Sequence, residues 1–256
     1  MTELAFSFGR IAAEYDDVRP EYAPAALARA AEALGLHAVS RVVDLAAGSG
    51  KLTRALTARF AEVVAVEPNE EMRAVLAQRS AGIKVLAGTA ERMPLPDSSA
   101  DAVFVGDAFH WFDGAAAVDE LTRVLRPSGG VALLWNHWWS DGDDRMSNSL
   151  DPPLPAEAQA LFDEVYVRSG RAAARSAMAD PLLALSVDRF EPLAHEAFHR
   201  LELLPRREVV DLFTTVSAFA SLPTGERDDL KRKLEALLAP SYRLKIVTDL
   251  HWTRRV

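Results

Sequence analysis

The chain has 256 residues, 49% of them hydrophobic, enough for a substantial core in one large domain or in one domain with a small cap. Its formal net charge of −8 and pI near 5.3 argue against a broad nucleic-acid-binding surface, and its basic stretch Lys231-Arg232-Lys233 is broken up by Asp228, Asp229 and Glu235. There is no cysteine, which excludes disulfides, thiolate zinc sites and cysteine nucleophiles.

The first ten residues lack a continuous apolar segment of signal-peptide length, and no later stretch approaches a membrane span, so a cytoplasmic protein without membrane contact is expected. Residues 24–34 read as a helix stopped by Gly35. Residues 41–45 form an apolar strand, and a helix follows over 51–60 with Leu52, Leu56 and Phe60 on one face. Residues 62–66 are a second strand, 70–78 a helix and 83–86 a third strand. A fourth strand over 101–105 leads to a helix over 115–125, closed by Pro127, Gly129 and Gly130, and 131–135 is a fifth strand. Short apolar runs alternating with amphipathic helices predict an α/β fold, with a doubly wound, mostly parallel sheet and helices on both faces.

After Trp139 the pattern changes. Residues 140–155 are polar and rich in Asp and Pro, and helical stretches follow near 156–168 and 171–178. Strand-like segments return near 196–204 and 243–250, with helices between them at 207–220 and 226–238. The expected layout is a core with an N-terminal lid over 1–139, a helical cap insertion over 140–185, and completion of a seven-stranded sheet by 186–256.

The stretch that carries most chemistry is the first strand–turn–helix. Asp44 ends the strand, Gly48 and Gly50 make the tight turn, and a ligand here lies against bare backbone at a helix start. The dinucleotide fingerprint requires a third glycine where this chain has Thr53. A P-loop requires Gly and Ser or Thr where it has Leu45 and Leu52. What remains is an acid followed by small residues at every second position: Asp44, Ala46, Gly48 and Gly50. Glu67 ends the second strand, 23 residues after Asp44, where a carboxylate on the neighbouring strand accepts hydrogen bonds from both ribose hydroxyls of a nucleoside.

This pattern resembles the first motifs of the class I, Rossmann-like S-adenosylmethionine-dependent methyltransferases, with Ala46 at a position usually occupied by glycine. Further segments resemble a small-molecule subgroup. Ala108–Asp113 is similar to its A-x-H-W-F-D signature. The run from Tyr15 through Arg19, Pro20 and Tyr22 is similar to its Y-x-x-x-R-P-x-Y-P segment, with Ala23 at the last proline. The run from Ala90 and Glu91 through Pro94 and Pro96 to Asp97 is similar to its A-E-x-L-P segment, with Met93 at the leucine. The resemblance covers residues 8–136 and has no signature over 140–185.

The resemblance implies S-adenosyl-L-methionine as cofactor and an outline of its site. Gly48 and Gly50 admit the methionine part, and Asp44 holds its ammonium group. Glu67, Pro68 and Met72 receive the ribose and adenine, while Thr89, Ala90 and Glu91 bracket the base. Asp107 and Ala108 border the site, and Tyr15 and Arg19 close over it. Trp111, Trp135, Asn136, Trp138 and Trp139 are expected in the acceptor pocket, and His110 is the candidate general base, with a loop-orienting role the alternative. A metal-assisted variant using Asp107 with Asn136 or His137 is disfavoured, because Trp135 stands where a second acid is needed. The expected partner is a small-molecule methyl acceptor. A nicotinamide-dependent oxidoreductase and a catalytically inactive nucleoside-binding protein are the alternatives.

Overall fold

The computed structural model describes residues 12–138, 149–168, 181–220 and 222–256. The predicted parallel half is present, with β1 at Arg41–Leu45, β2 at Glu62–Val66, β3 at Lys84–Leu86, β4 at Ala100–Gly106 and β5 at Leu125–His137. Between them lie α3 (Lys51–Thr57), α4 (Glu70–Arg79) and α5 (Gly114–Val124), and α1 (Ala12–Val18) and α2 (Pro24–Ala33) precede them. β1 is buried on both faces, as a central parallel strand must be. Val43 and Leu45 pack with α5-side residues such as Leu121, whereas Val42 packs with Leu27 and Leu56 from α2 and α3. Helix starts follow local chemistry: Pro24 opens α2, the Asn69 side chain accepts from Met72 N at 2.9 Å, and Asp113 accepts from Ala116 N at 3.3 Å.

The sheet order is β3-β2-β1-β4-β5-β8, where β8 is Ser241–Arg254 and runs antiparallel to β5. β7, Ala194–Pro205, pairs antiparallel with the other side of β8. A two-residue strand, β6 (Leu150–Asp151), also pairs with β8, so the sheet has eight strands rather than the expected seven. Two residues carry too little pattern to be read from sequence. The expected turn at Pro127–Gly130 is instead a bulge inside β5. Leu125 pairs with Ala100, pairing resumes with Gly130 opposite Ala102, and Ser128 bends the chain at φ +62°.

The predicted helix over 51–60 ends at Thr57, although Phe60 still docks, its ring centroid 6.1 Å from that of Phe104. The predicted helix over 207–220 divides into α7 (Arg206–Thr214) and α8 (Ser217–Ala220), and α9 is Thr224–Leu237. α6, Ala156–Arg168, is the helix expected at 156–168. Its Phe162 packs edge-on against Phe213 and Phe219, in a second core shared with Leu244 and Ile246 of β8. The helix expected at 171–178 and residues 140–148 of the polar stretch expected at 140–155 lie outside the described residues. No described helix is long and apolar enough to cross a membrane.

Candidate functional site

The sheet order reverses between β1 and β4, and a cleft opens where their carboxyl ends part, as is usual for open α/β sheets. It encloses about 970 Å³ including its mouth. Its floor is the turn after β1, which the sequence builds from small residues because the backbone there is left-handed. Ala46 has φ +56°, Gly48 φ +56° and Gly50 φ +92°. A left-handed alanine costs about 1–2 kcal/mol, which gives a physical reason for glycine at the equivalent position of the resembling family.

Two acids face each other across this turn. Asp44 is fully buried, and Thr53 Oγ1 donates to its Oδ2 at 2.6 Å. Its Oδ1 is buried, borders the cleft and has no hydrogen-bond partner among the described residues. Burial raises the Asp44 carboxyl to about 7, opposed by the bond from Thr53 and reinforced by the charge of Glu67. Glu67 is buried too. Its Oε2 accepts from Gly48 N and its Oε1 from Asn69 N, both at 2.8 Å. Those bonds fix the carboxylate over the cleft and leave each oxygen one further acceptor position. Burial pushes its pKa up, and the two backbone donors oppose the rise. Pro68 and Met72 continue the wall beyond it.

The opposite wall comes from β4 and β5. Asp107 lies just past β4 at φ +50°, with Tyr22 Oη donating to Oδ2 at 2.8 Å and Asn136 N to Oδ1 at 3.1 Å. Its burial also raises its pKa. Ala108, Trp111 and Phe112 line this end. Trp138 is buried there with the Arg19 guanidinium 4.7 Å from its ring centroid, and Arg19 also donates to Thr215 O at 2.9 Å. Asn136 reaches the cleft wall, but its side chain pins the N-terminal segment: Nδ2 donates to Pro20 O and Glu21 O, and Oδ1 accepts from Thr248.

Several expected residues are held elsewhere. Gly50 supports the turn from behind. Ala90 is packed in the core, Thr89 bridges to Arg92, and Glu91 accepts from Asp113 N at 3.0 Å, so none of these three lines the cleft. His110 and Trp135 also lie off the cleft wall, on the α5 side of the sheet, where Trp135 Nε1 donates to His110 Nδ1 at 3.5 Å. His137 pairs with Asp249 at 3.1 Å. The Tyr15 side chain and Trp139 lie outside the described residues.

Some contributors escape sequence reasoning. Tyr22, Ser49, Lys51, Leu52, Asn69 and Gly106 all line the cleft. Tyr22 stood in the quoted N-terminal segment without an assigned role. Asp16 has no local signal at all. It is buried, accepts from Ser49 Oγ and Arg54 at 2.7 Å and also from Arg79, and so fastens α1 over the turn. Burial alone raises its pKa, but the bonds from Arg54, Ser49 and Arg79 outweigh that and leave it below the ordinary value.

Residues 43–133 match a family described as a methyltransferase domain. The chain is 46% identical over 134 residues to an uncharacterized methyltransferase of Mycobacterium tuberculosis, covering 52% of this chain and 54% of that one. It is 37% identical over 100 residues to a malonyl-[acyl-carrier protein] O-methyltransferase of Methylococcus capsulatus, covering 37% and 36%. The chain thus spans about half the length of the first of these relatives, or less. Among solved structures, a putative type II methyltransferase from Anaeromyxobacter dehalogenans superposes with a TM-score of 0.60 at 22% identity, over 93% of this chain and 97% of the other. The fold is therefore the Rossmann-like methyltransferase fold.

Proposed function

We propose that this chain, which carries a methyltransferase domain with S-adenosylmethionine as its cofactor, transfers a methyl group from that donor to a small-molecule acceptor. The observation that carries the reading is the buried, unpartnered Asp44 Oδ1 beside the left-handed turn, with the Glu67 carboxylate fixed opposite. An ammonium group satisfies the first, and a ribose diol satisfies the second. The residues fit the donor in further ways. Gly48 leaves open space where a side chain would stand, and Met72 offers an apolar, polarizable face for a base.

The donor supplies an already activated methyl on a sulfonium. The protein's part is then to align an acceptor, exclude water and accommodate the loss of positive charge. Trp111, Phe112 and Trp138 give the acceptor end an apolar wall. The name of the Methylococcus relative makes a carboxylate oxygen the acceptor chemistry to test first. In this reading acceptor specificity is set by the chain that follows β5, including the described Leu150–Arg168. His110 acts on the acceptor's proton only if acceptor binding brings its ring to the cleft. On that basis His110→Ala lowers turnover and leaves donor affinity unchanged, which a comparison of steady-state kinetics with calorimetry measures; full retained turnover removes it as a base.

The test of the reading is a titration with S-adenosylmethionine and with a nicotinamide dinucleotide, followed by label transfer to a panel of small acids, phenols and amines. Binding of the dinucleotide alone would replace this proposal with an oxidoreductase. Donor binding with no transfer to any acceptor would favour a binding protein.

Asp44 makes a second prediction. A carboxyl raised in the folded state holds its proton more tightly than in the unfolded chain. Its contribution to stability is therefore full below the ordinary value of 3.8 and is lost as pH rises through about 7. Binding a cationic donor favours the ionised form. Donor affinity is thus expected to rise as pH rises through about 7, with a proton released on binding below that pH. Calorimetry in buffers of different ionisation heat reads the proton directly. Asp44→Asn should remove most of the dependence, and an unchanged pH profile in that variant would reassign it to Glu67 or Asp107.

A further inference from the structure

β7 runs for twelve residues as the outermost strand, and it pairs with β8 one residue for one from Ala194↔Trp252 to Pro205↔Ser241, with no bulge. Among the described residues nothing pairs with its outer edge. Edge strands in monomeric proteins are commonly blunted by bulges, lysines or a mid-strand proline, because open amide and carbonyl groups invite another strand. β7 has no lysine, and its proline is its last residue. It also displays two leucines to solvent on one face, Leu201 at 69% and Leu203 at 71% exposure.

We propose that this edge pairs antiparallel with the same edge of a second copy, giving a two-fold dimer with its axis at Leu201. The occupant follows from the charges. A two-fold axis perpendicular to the sheet keeps each residue on its own face, so residues meet only those of like parity along the strand. With the axis at Leu201, Leu201 meets Leu201 and His199 meets Leu203. On the opposite face, Arg200 of each copy meets Glu202 of the other. Within one chain Arg200 Nε already donates to Glu202 at 2.8 Å, while its other two nitrogens donate to Thr248 Oγ1 and Glu21 O, so the dimer sets two ion pairs that are fixed in place side by side as four alternating charges. The neighbouring registers are repulsive: an axis at Arg200 sets two guanidinium groups opposite each other, and one at Glu202 sets two carboxylates opposite each other. Of these three registers only the one at Leu201 is attractive, and pairing there covers the exposed leucines. This proposal is independent of the methyl-transfer reading.

Sedimentation of the full chain and single-cysteine cross-linking test it together. At tens of micromolar the wild-type chain is expected to sediment at twice its 28.0-kDa mass. Leu201→Lys sets two ammonium groups at the axis and should weaken dimerisation on the order of a hundredfold. The residue is exposed, so a far-ultraviolet circular dichroism spectrum matching wild type checks that the variant folds. Because the chain has no cysteine, Leu201→Cys can cross-link only to itself in a partner, and the axis brings the two β-carbons within about 4.5–5.5 Å. It should oxidise to a covalent dimer far faster than Leu203→Cys, whose counterpart is His199, or Val39→Cys, which is exposed elsewhere. A wild-type monomer throughout, a dimer that Leu201→Lys leaves intact, or equal cross-linking of the three cysteines would each overturn the proposal.

Discussion

Glu67→Ala should weaken S-adenosylmethionine binding by about 1.5–3 kcal/mol, the range for hydrogen bonds to a charged group, read by calorimetry on the folded variant. The side chain has two jobs in one position. Its oxygens hold Gly48 N and Asn69 N, which shapes the turn and the entry to α4, and their remaining lone pairs meet the ribose. Glu67→Gln separates the two. An amide keeps one oxygen acceptor but presents an NH₂ group to a backbone N–H, so it loses one of the two backbone bonds as well as the charge. Its affinity should fall between those of wild type and alanine. Donor affinity unchanged in Glu67→Ala would sink the ribose assignment and with it the orientation of the donor in the cleft.

Gly50→Ala is expected to destabilise the fold by about 2–4 kcal/mol, through left-handed strain together with overpacking. At φ +92° an alanine is strained whatever the space, and here its β-carbon would lie 2.8 Å from Leu76 Cγ and 3.3 Å from Ser80 Oγ. Leu76 is fully buried in α4, so it has little room to move. Thermal unfolding should show a loss of roughly 5–15 °C for a chain of this size. Gly48→Ala is the contrast. Its φ of +56° carries a backbone cost of about 1–2 kcal/mol, but its β-carbon meets nothing within 4 Å and projects into open space at the cleft. That variant should lose donor affinity more than it loses stability. Equal stability losses in the two would mean that packing behind Gly50 contributes nothing.

The sequence by itself determined the parallel half of the sheet, because strands buried on both faces need unbroken apolar runs and the helices between them need a 3.6-residue period. It determined the turn at Asp44–Gly50 and the acid at Glu67 for a related reason: close backbone approach demands small residues at fixed spacing, and that demand is written locally. Tertiary structure alone decided what depends on residues far apart in the chain. Asp16 meets Ser49, Arg54 and Arg79 only once α1 has folded back over the turn. Tyr22 finds Asp107 across 85 residues. Asn136, read as a pocket residue, lines the cleft and also holds Pro20 and Thr248. Thr89–Glu91 and His110 carried motif signals, yet packing against α5 and Trp135 set them off the cleft wall. A motif records which residue types a turn or strand end tolerates; the direction in which a side chain finally points is set by the neighbours it must pack against and bond, and those are chosen by the whole fold.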